Sequence, residues 1–271
     1  MVTVKGKSEQ ARVLITVKTY PAPSAKYGET VCIAGVRLDE ADGPKFIRLY
    51  PISFRTLENS QQFKKYQMIE LPVTPRGTKD PRPESFEPNM EAASLGEWVD
   101  SKKAWQKRAD LIRPLIGATT VCELRAKNLA ATMADSVASF GLIKPEIKSM
   151  TVVEGEPWTV RQLEKARRAT EPNLFNPDGL VELLPIPYRI KFNYKCLEPG
   201  CRGHDQELID WELGAAGIQW PRQYGRDTRA KIEQKWAEMT DSSKKDLHFY
   251  VGNQHQRRAT FSVCGLWSPP I

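Results

Sequence analysis

The chain has 271 residues, with 40 basic against 33 acidic side chains, a formal net charge of +7 and a pI near 9.1. With 40% hydrophobic and 27% charged residues it has the composition of a soluble globular protein, and no apolar run approaches the ~20 residues that span a bilayer, so no membrane partner is expected. The length suits two ordinary domains, and the basic excess would be attracted to polyphosphate.

The first residues, M-V-T-V-K-G-K-S-E-Q, lack the apolar stretch of a secretory signal, which points to the cytoplasm. Five cysteines, three of them alone in apolar surroundings, read as reduced thiols and not as a disulfide framework. Residues 11–18, 29–38, 46–52 and 66–73 are β-branched runs separated by Pro, Gly, Asp and Ser, so the N-terminal part is expected to be a small antiparallel sheet curled into an OB-like or SH3-like barrel. The proline-rich stretch 75–89 reads as an extended loop. Helices are expected over about 98–116 and 119–134, a returning strand at 147–153, and a helix after Thr159 as N-cap.

The segment 171–180, rich in Pro, Asn, Asp and Gly, marks a boundary. The domains expected are a barrel-like unit with a helical insertion at 1–156, a helix and linker at 157–180, and an α+β domain at 181–271. That last domain reads β-β-α-α-β-β: two strands around a Cys/His hairpin, a helix capped by Asp210, a helix near 227–239, and two terminal strands.

Two kinds of residue carry chemistry. In Y-K-C-L-E-P-G-C-R-G-H, a hairpin brings Cys196, Cys201 and His204 to one end of the sheet. Zinc usually takes four such ligands, and His255, in the loop between the last two strands, is the expected fourth, with His248 and Cys264 as alternatives. The competing reading is a plain Pro-Gly turn with two small, part-buried thiols. In the barrel, cations interleave with tyrosines at Lys18, Tyr20, Lys26, Tyr27, Arg48, Tyr50, Arg55, Lys64, Lys65 and Tyr66, as a surface that tracks phosphates and stacks bases requires, and Arg257 and Arg258 extend the path. No Walker A, G-x-G-x-x-G, G-x-S-x-G or H-E-x-x-H element is present.

The stretches K-T-Y-P-A-P-S-A-K-Y-G-E-T-V-C, I-R-L-Y-P-I-S-F-R, Q-F-K-K-Y and C-R-G-H-D-Q-E-L-I-D-W-E resemble an uncharacterised family of prokaryotic proteins over most of the chain. The resemblance brings no assigned activity and no catalytic residue. It implies a connection with mobile-element or antiviral-defence systems, and so with nucleic acid. The expectation is a non-catalytic protein that binds DNA or RNA. The alternatives are a metal-dependent nuclease using His204, Asp210 and Glu212, and an assembly subunit whose partner is another protein.

Overall fold

The protein is described as a computed structural model over residues 7–24, 28–172 and 181–271. Apolar alternation shapes its first half. Strand β1 (Glu9–Lys18) sends Ala11, Val13 and Ile15 inward, while Leu14 faces out. A β-bulge between Ile15 and Val17 turns Val17 to the outer face as well, and leaves Lys18 above Phe54 at the mouth of the barrel. With β2 (Ala22–Ser24), β3 (Gly28–Arg37), β4 (Lys45–Ile52), β5 (Gln67–Pro75), β6 (Ser85–Pro88) and β7 (Ser94–Trp98) this forms one sheet. The order β1-β3-β4-β6-β5 returns to β1 through the β1–β5 pairing, which closes a five-stranded barrel, with β4 and β6 parallel. The closing strand β6 lies inside the stretch read as loop. Its prolines hide it, but three ladder positions against β5 and two against β4 are enough to close the ring.

Helix α1 (Lys102–Ile112) follows, opening with three residues, Lys103, Ala104 and Trp105, in the left-handed region, φ 47° to 64°. Helix α2 (Val121–Ala130) is capped by Thr120, whose hydroxyl accepts the Glu123 N–H at 3.0 Å. Next come β8 (Phe140–Ile143), β9 (Pro145–Glu154) and α3 (Val160–Thr170), whose Thr159/Gln162 capping box confirms the expected start. The second half continues with β10 (Tyr188–Cys196), β11 (His204–Leu208), α4 (Trp211–Gln219), the single-turn α5 (Pro221–Tyr224), α6 (Thr228–Thr240), β12 (His248–Gln254) and β13 (Arg257–Trp267). None of the described helices is long and apolar enough to cross a membrane.

The second sheet has the order β8-β12-β13-β11-β10-β9. The expected ββααββ order is present, and β8 and β9, which precede the boundary expected near 156, pair within this sheet too. These pairings join segments distant in sequence, and local composition carries no sign of them. Of the expected linker, residues 173–180 lie outside the described residues.

Three apolar cores follow. One fills the barrel; a second packs Phe192, Phe249 and Val263 of the sheet against Leu213, Ile232 and Trp236 of α4 and α6. The third lies between them, joining Leu14, Val17 and Met68 from the barrel's outside to Phe140, Leu142, Tyr250 and Trp267. Fully burying a side chain of this size is worth about 1.5–3 kcal/mol, so the two halves dock through a core of their own. A buried polar network fixes the register. Arg82 forms a two-pronged pair with Asp80 at 2.6 and 2.7 Å and donates to Asn253, while Arg48 donates to Ser139 Oγ and to the Asn253 carbonyl, both at 2.8 Å.

Candidate metal centre and interdomain cleft

The hairpin between β10 and β11 answers the Cys/His question with a different fourth residue. Cys196 ends β10, Gly200 and Gly203 take positive φ (78° and 103°) to turn the chain, and Cys201 and His204 begin the return. His204 Nε2 lies 3.4 Å from Cys196 Sγ, 3.3 Å from Cys201 Sγ and 3.5 Å from Cys122 Sγ. The four donor atoms all lie within 4.8 Å of one another. With metal–sulfur and metal–nitrogen bonds of about 2.3 and 2.0 Å, a tetrahedron has a sulfur–nitrogen edge of about 3.5 Å, so this donor set fits one ion.

Cys122 reaches the hairpin because it sits on the first turn of α2, where the unpaired N–H groups and the helix dipole favour a thiolate. Thr120 secures the same junction, donating its hydroxyl to Glu198 of the hairpin at 3.0 Å, and the Gly203 N–H points at Cys201 Sγ at 3.4 Å. Burial and the neighbouring Cys196 and Cys201 thiols push Cys122 up to about 12, so a cation is what would hold these sulfurs ionised together. Burial, then Arg125, lowers His204 below the usual imidazole value, favouring the neutral form that ligates. The cluster can hold a metal ion with all four positions taken by protein, the arrangement of a structural site.

The expected ligand His255 is elsewhere: its Nδ1 faces Asp80 Oδ1 at 3.4 Å. The β12–β13 turn that carries it serves the barrel–sheet junction, where Asp80 and Arg82 also lie. His248 is on β12, with Nδ1 3.3 Å from the Asp246 carbonyl, and Cys264 is buried in the core between the halves.

Among the described residues, the continuous cationic face expected on the barrel does not form. Arg48 is buried because the outer face of β4 is covered by the second sheet. Arg258 is buried too, donating to the carbonyls of Met133 and Asp135, and Arg55 pairs with buried Glu29 at 2.9 Å. Tyr20 is a strut: its ring packs on Gly214 of α4, its hydroxyl donates to the Leu184 carbonyl at 3.0 Å, and burial raises it to about 12. Tyr50 lies under the Arg76 guanidinium, and Arg257 is exposed at the start of β13. Lys26 and Tyr27 fall outside the described residues.

Four of the expected residues do come together. Lys18, Lys64, Lys65 and Tyr66 line a cleft of about 460 Å³ where the barrel meets α1, α4 and α6. Four tryptophans from stretches expected to be helical, Trp98, Trp105, Trp211 and the buried Trp236, line it as well. Trp98 is 49% exposed. Arg108 is caged by rings, its guanidinium carbon 3.8 Å from the Tyr66 centroid and 4.6 Å from that of Trp105, and it donates to the Val99 carbonyl at 2.9 Å. Tyr66 (φ 62°) and the left-handed turn of α1 are the positive-φ non-glycine residues among those described, and both border this cleft. Backbone strain of that kind gathers at functional sites.

Asp210 closes the cleft floor. It caps α4, accepting the Glu212 N–H at 2.7 Å, and pairs with Lys65, which also reaches Glu212 at 3.6 Å. Burial works against the Lys65 charge, but the Asp210 and Glu212 carboxylates outweigh it and raise the ammonium above its ordinary value. Lys18 has no such partner among the described residues: its Nζ sits 4.1 Å from the Phe54 ring and 4.5 Å from that of Trp211. Burial, then the Lys65 charge, lower it to about 8. His204 is not part of this group. It lies at the opposite end of β11 from Asp210, so the three residues of the alternative nuclease reading are not brought together.

The model of a domain of unknown function (DUF8757) matches residues 117–271, more than half of the chain, and that of a second domain of unknown function (DUF8758) matches residues 9–114. No curated protein matches the sequence.

Proposed function

The chain belongs to the family of the domain of unknown function DUF8757, and from its own site we propose that it is a non-catalytic nucleic-acid-binding protein whose contact surface is the interdomain cleft. The observation that carries this reading is the convergence of four cations, Lys18, Lys64, Lys65 and Arg108, with exposed or half-exposed Trp98, Trp105 and Trp211 in one concave site. Asp210 and Glu212 offset only part of that charge, and the site keeps the combination of cation and ring face that single strands use, at ~1–3 kcal/mol for each stacked base. The closed barrel at its rim is an architecture that suits oligonucleotides. A place in prokaryotic defence or mobile-element systems is the setting this suggests, and it rests on the motif resemblance alone.

The metal is assigned as zinc in this reading, because three sulfurs and one imidazole at tetrahedral spacing match its ligand preference. Its role is to tie the start of α2 to the β10–β11 hairpin. Labelled single-stranded DNA and RNA, titrated by anisotropy from low to high salt, test the binding proposal. Affinity that falls with salt and weakens in Trp98→Ala supports it; a stable protein complex formed in place of any nucleic-acid binding would favour the assembly-subunit alternative.

A further inference from the structure

Lys18 differs from Lys65, its neighbour in the cleft. Its ammonium lies on the faces of Phe54 and Trp211, and no carboxylate among the described residues comes within ion-pair distance of it. The two acids that could neutralise it are engaged by Lys65, which is only 14% exposed beside an Asp210 that is 5% exposed. Apolar walls and an adjacent fixed cation are the two conditions that make a lysine amine nucleophilic near neutral pH.

We propose that Lys18 is a reactive amine that captures a carbonyl ligand, an aldehyde or ketone admitted to the cleft, as an imine. The neutral nitrogen attacks the carbonyl carbon, and a proton passes from nitrogen to oxygen to give the carbinolamine. Loss of that oxygen as water leaves the C=N bond, with no oxidant or reductant consumed. Glu212, whose carboxylate is 50% exposed at the cleft, favours the charged ammonium of Lys18 from a distance and so restrains the amine. With Lys18 lowered to about 8, about a quarter of the amine is free at pH 7.5, against roughly one part in a thousand for an ordinary lysine. The tryptophans favour a ligand with a flat body. Two sources share this chemistry: a free aromatic aldehyde, and the ring-opened sugar aldehyde of an abasic nucleotide, which alone rests on the nucleic-acid reading.

The test uses the full chain with limiting pyridoxal 5′-phosphate or an abasic-site oligonucleotide at pH 7, borohydride trapping and peptide mass mapping. The expected result is that Lys18 is labelled at least roughly tenfold faster than exposed Lys102 or Lys231. Lys18→Met abolishes the adduct, Glu212→Gln raises the labelling rate, and Lys65→Met lowers it several-fold by freeing the two acids for Lys18. Trapping with one probe alone identifies the source. Lys18 labelled no faster than the surface lysines by either probe overturns the proposal, whichever variants fold. Capture of the small aldehyde without binding of intact single strands would sink only the nucleic-acid reading, and the reverse would sink only this one.

Discussion

The Cys/His cluster and the cleft stand at the two ends of one strand, yet they are built on opposite principles. At the first end of β11, His204 joins two cysteines from its own hairpin, and one long-range residue, Cys122, completes the set. At the other end, Asp210 and Glu212 are the local contribution, and the cations and rings arrive from β1, the loop before β5, β7 and α1. The cluster is a closed knot of soft donors; the cleft is an open seam whose geometry depends on how the barrel docks on the sheet. Damage to the first should be felt as stability, and damage to the second as binding.

The largest effect is expected at the cluster. On the proposed zinc assignment, chelation or Cys201→Ser should remove one equivalent of metal and cost roughly 4 kcal/mol or more, about 10 °C in melting temperature, while Cys32→Ser should do neither. Equal losses from both substitutions, measured by metal analysis and thermal melts, would break the distinction. Next is the docking seam at Gly214, where a Cβ would lie 2.1 Å from the Tyr20 ring. Gly214→Ala should cost about 2–3 kcal/mol in denaturant unfolding, partly recovered by Tyr20→Ala.

The polar network supplies a pH test. Burial disfavours the charge on Asp80, but hydrogen bonds from Arg82 and Ser85 outweigh it and hold the carboxyl at about 2. A depressed carboxylate stabilises the fold above its unfolded value, and that contribution is lost as pH falls through the folded one. The corresponding stability, about 2 kcal/mol, should therefore be complete above pH ~4 and disappear towards pH 2. Asp80→Asn should be less stable than the wild type at pH 7, and the two curves should converge in acid. Smaller still is Trp98→Ala, expected to weaken single-strand binding by about 1–2 kcal/mol while leaving the melting temperature within about 2 °C. A larger loss of stability would mean that this ring is part of the core.

What the sequence made legible follows the same division. The barrel, the hairpin and the caps at Thr159 and Asp210 are local patterns, visible in β-branched alternation and in polar residues ahead of apolar periods. Cys122 was the missing member of the cluster, and its only local sign is a thiol on the first turn of a helix capped by Thr120. His255 is nearer to the hairpin in sequence, but the turn that carries it belongs to the barrel–sheet junction. Arg48 alternates as an exposed strand residue should, and nothing within β4 reveals that a second sheet covers that face. The cleft was half legible: Lys18, Lys64, Lys65 and Tyr66 belong to it, whereas Arg55 and Arg258 are struts, and Trp98, inside the stretch expected as helix, ends a strand. Side chains that meet only when two domains dock leave no spacing to read.

The most direct measurement is the equilibrium affinity for a single-stranded oligonucleotide as a function of salt, for the wild type and for Lys64→Ala. With three or four cations in the cleft, the logarithmic slope should be about −2 to −3, and losing Lys64 should make it shallower by about 0.7. An affinity indifferent to salt, or a slope that Lys64→Ala leaves unchanged, would contradict the assignment of the cleft as the nucleic-acid surface.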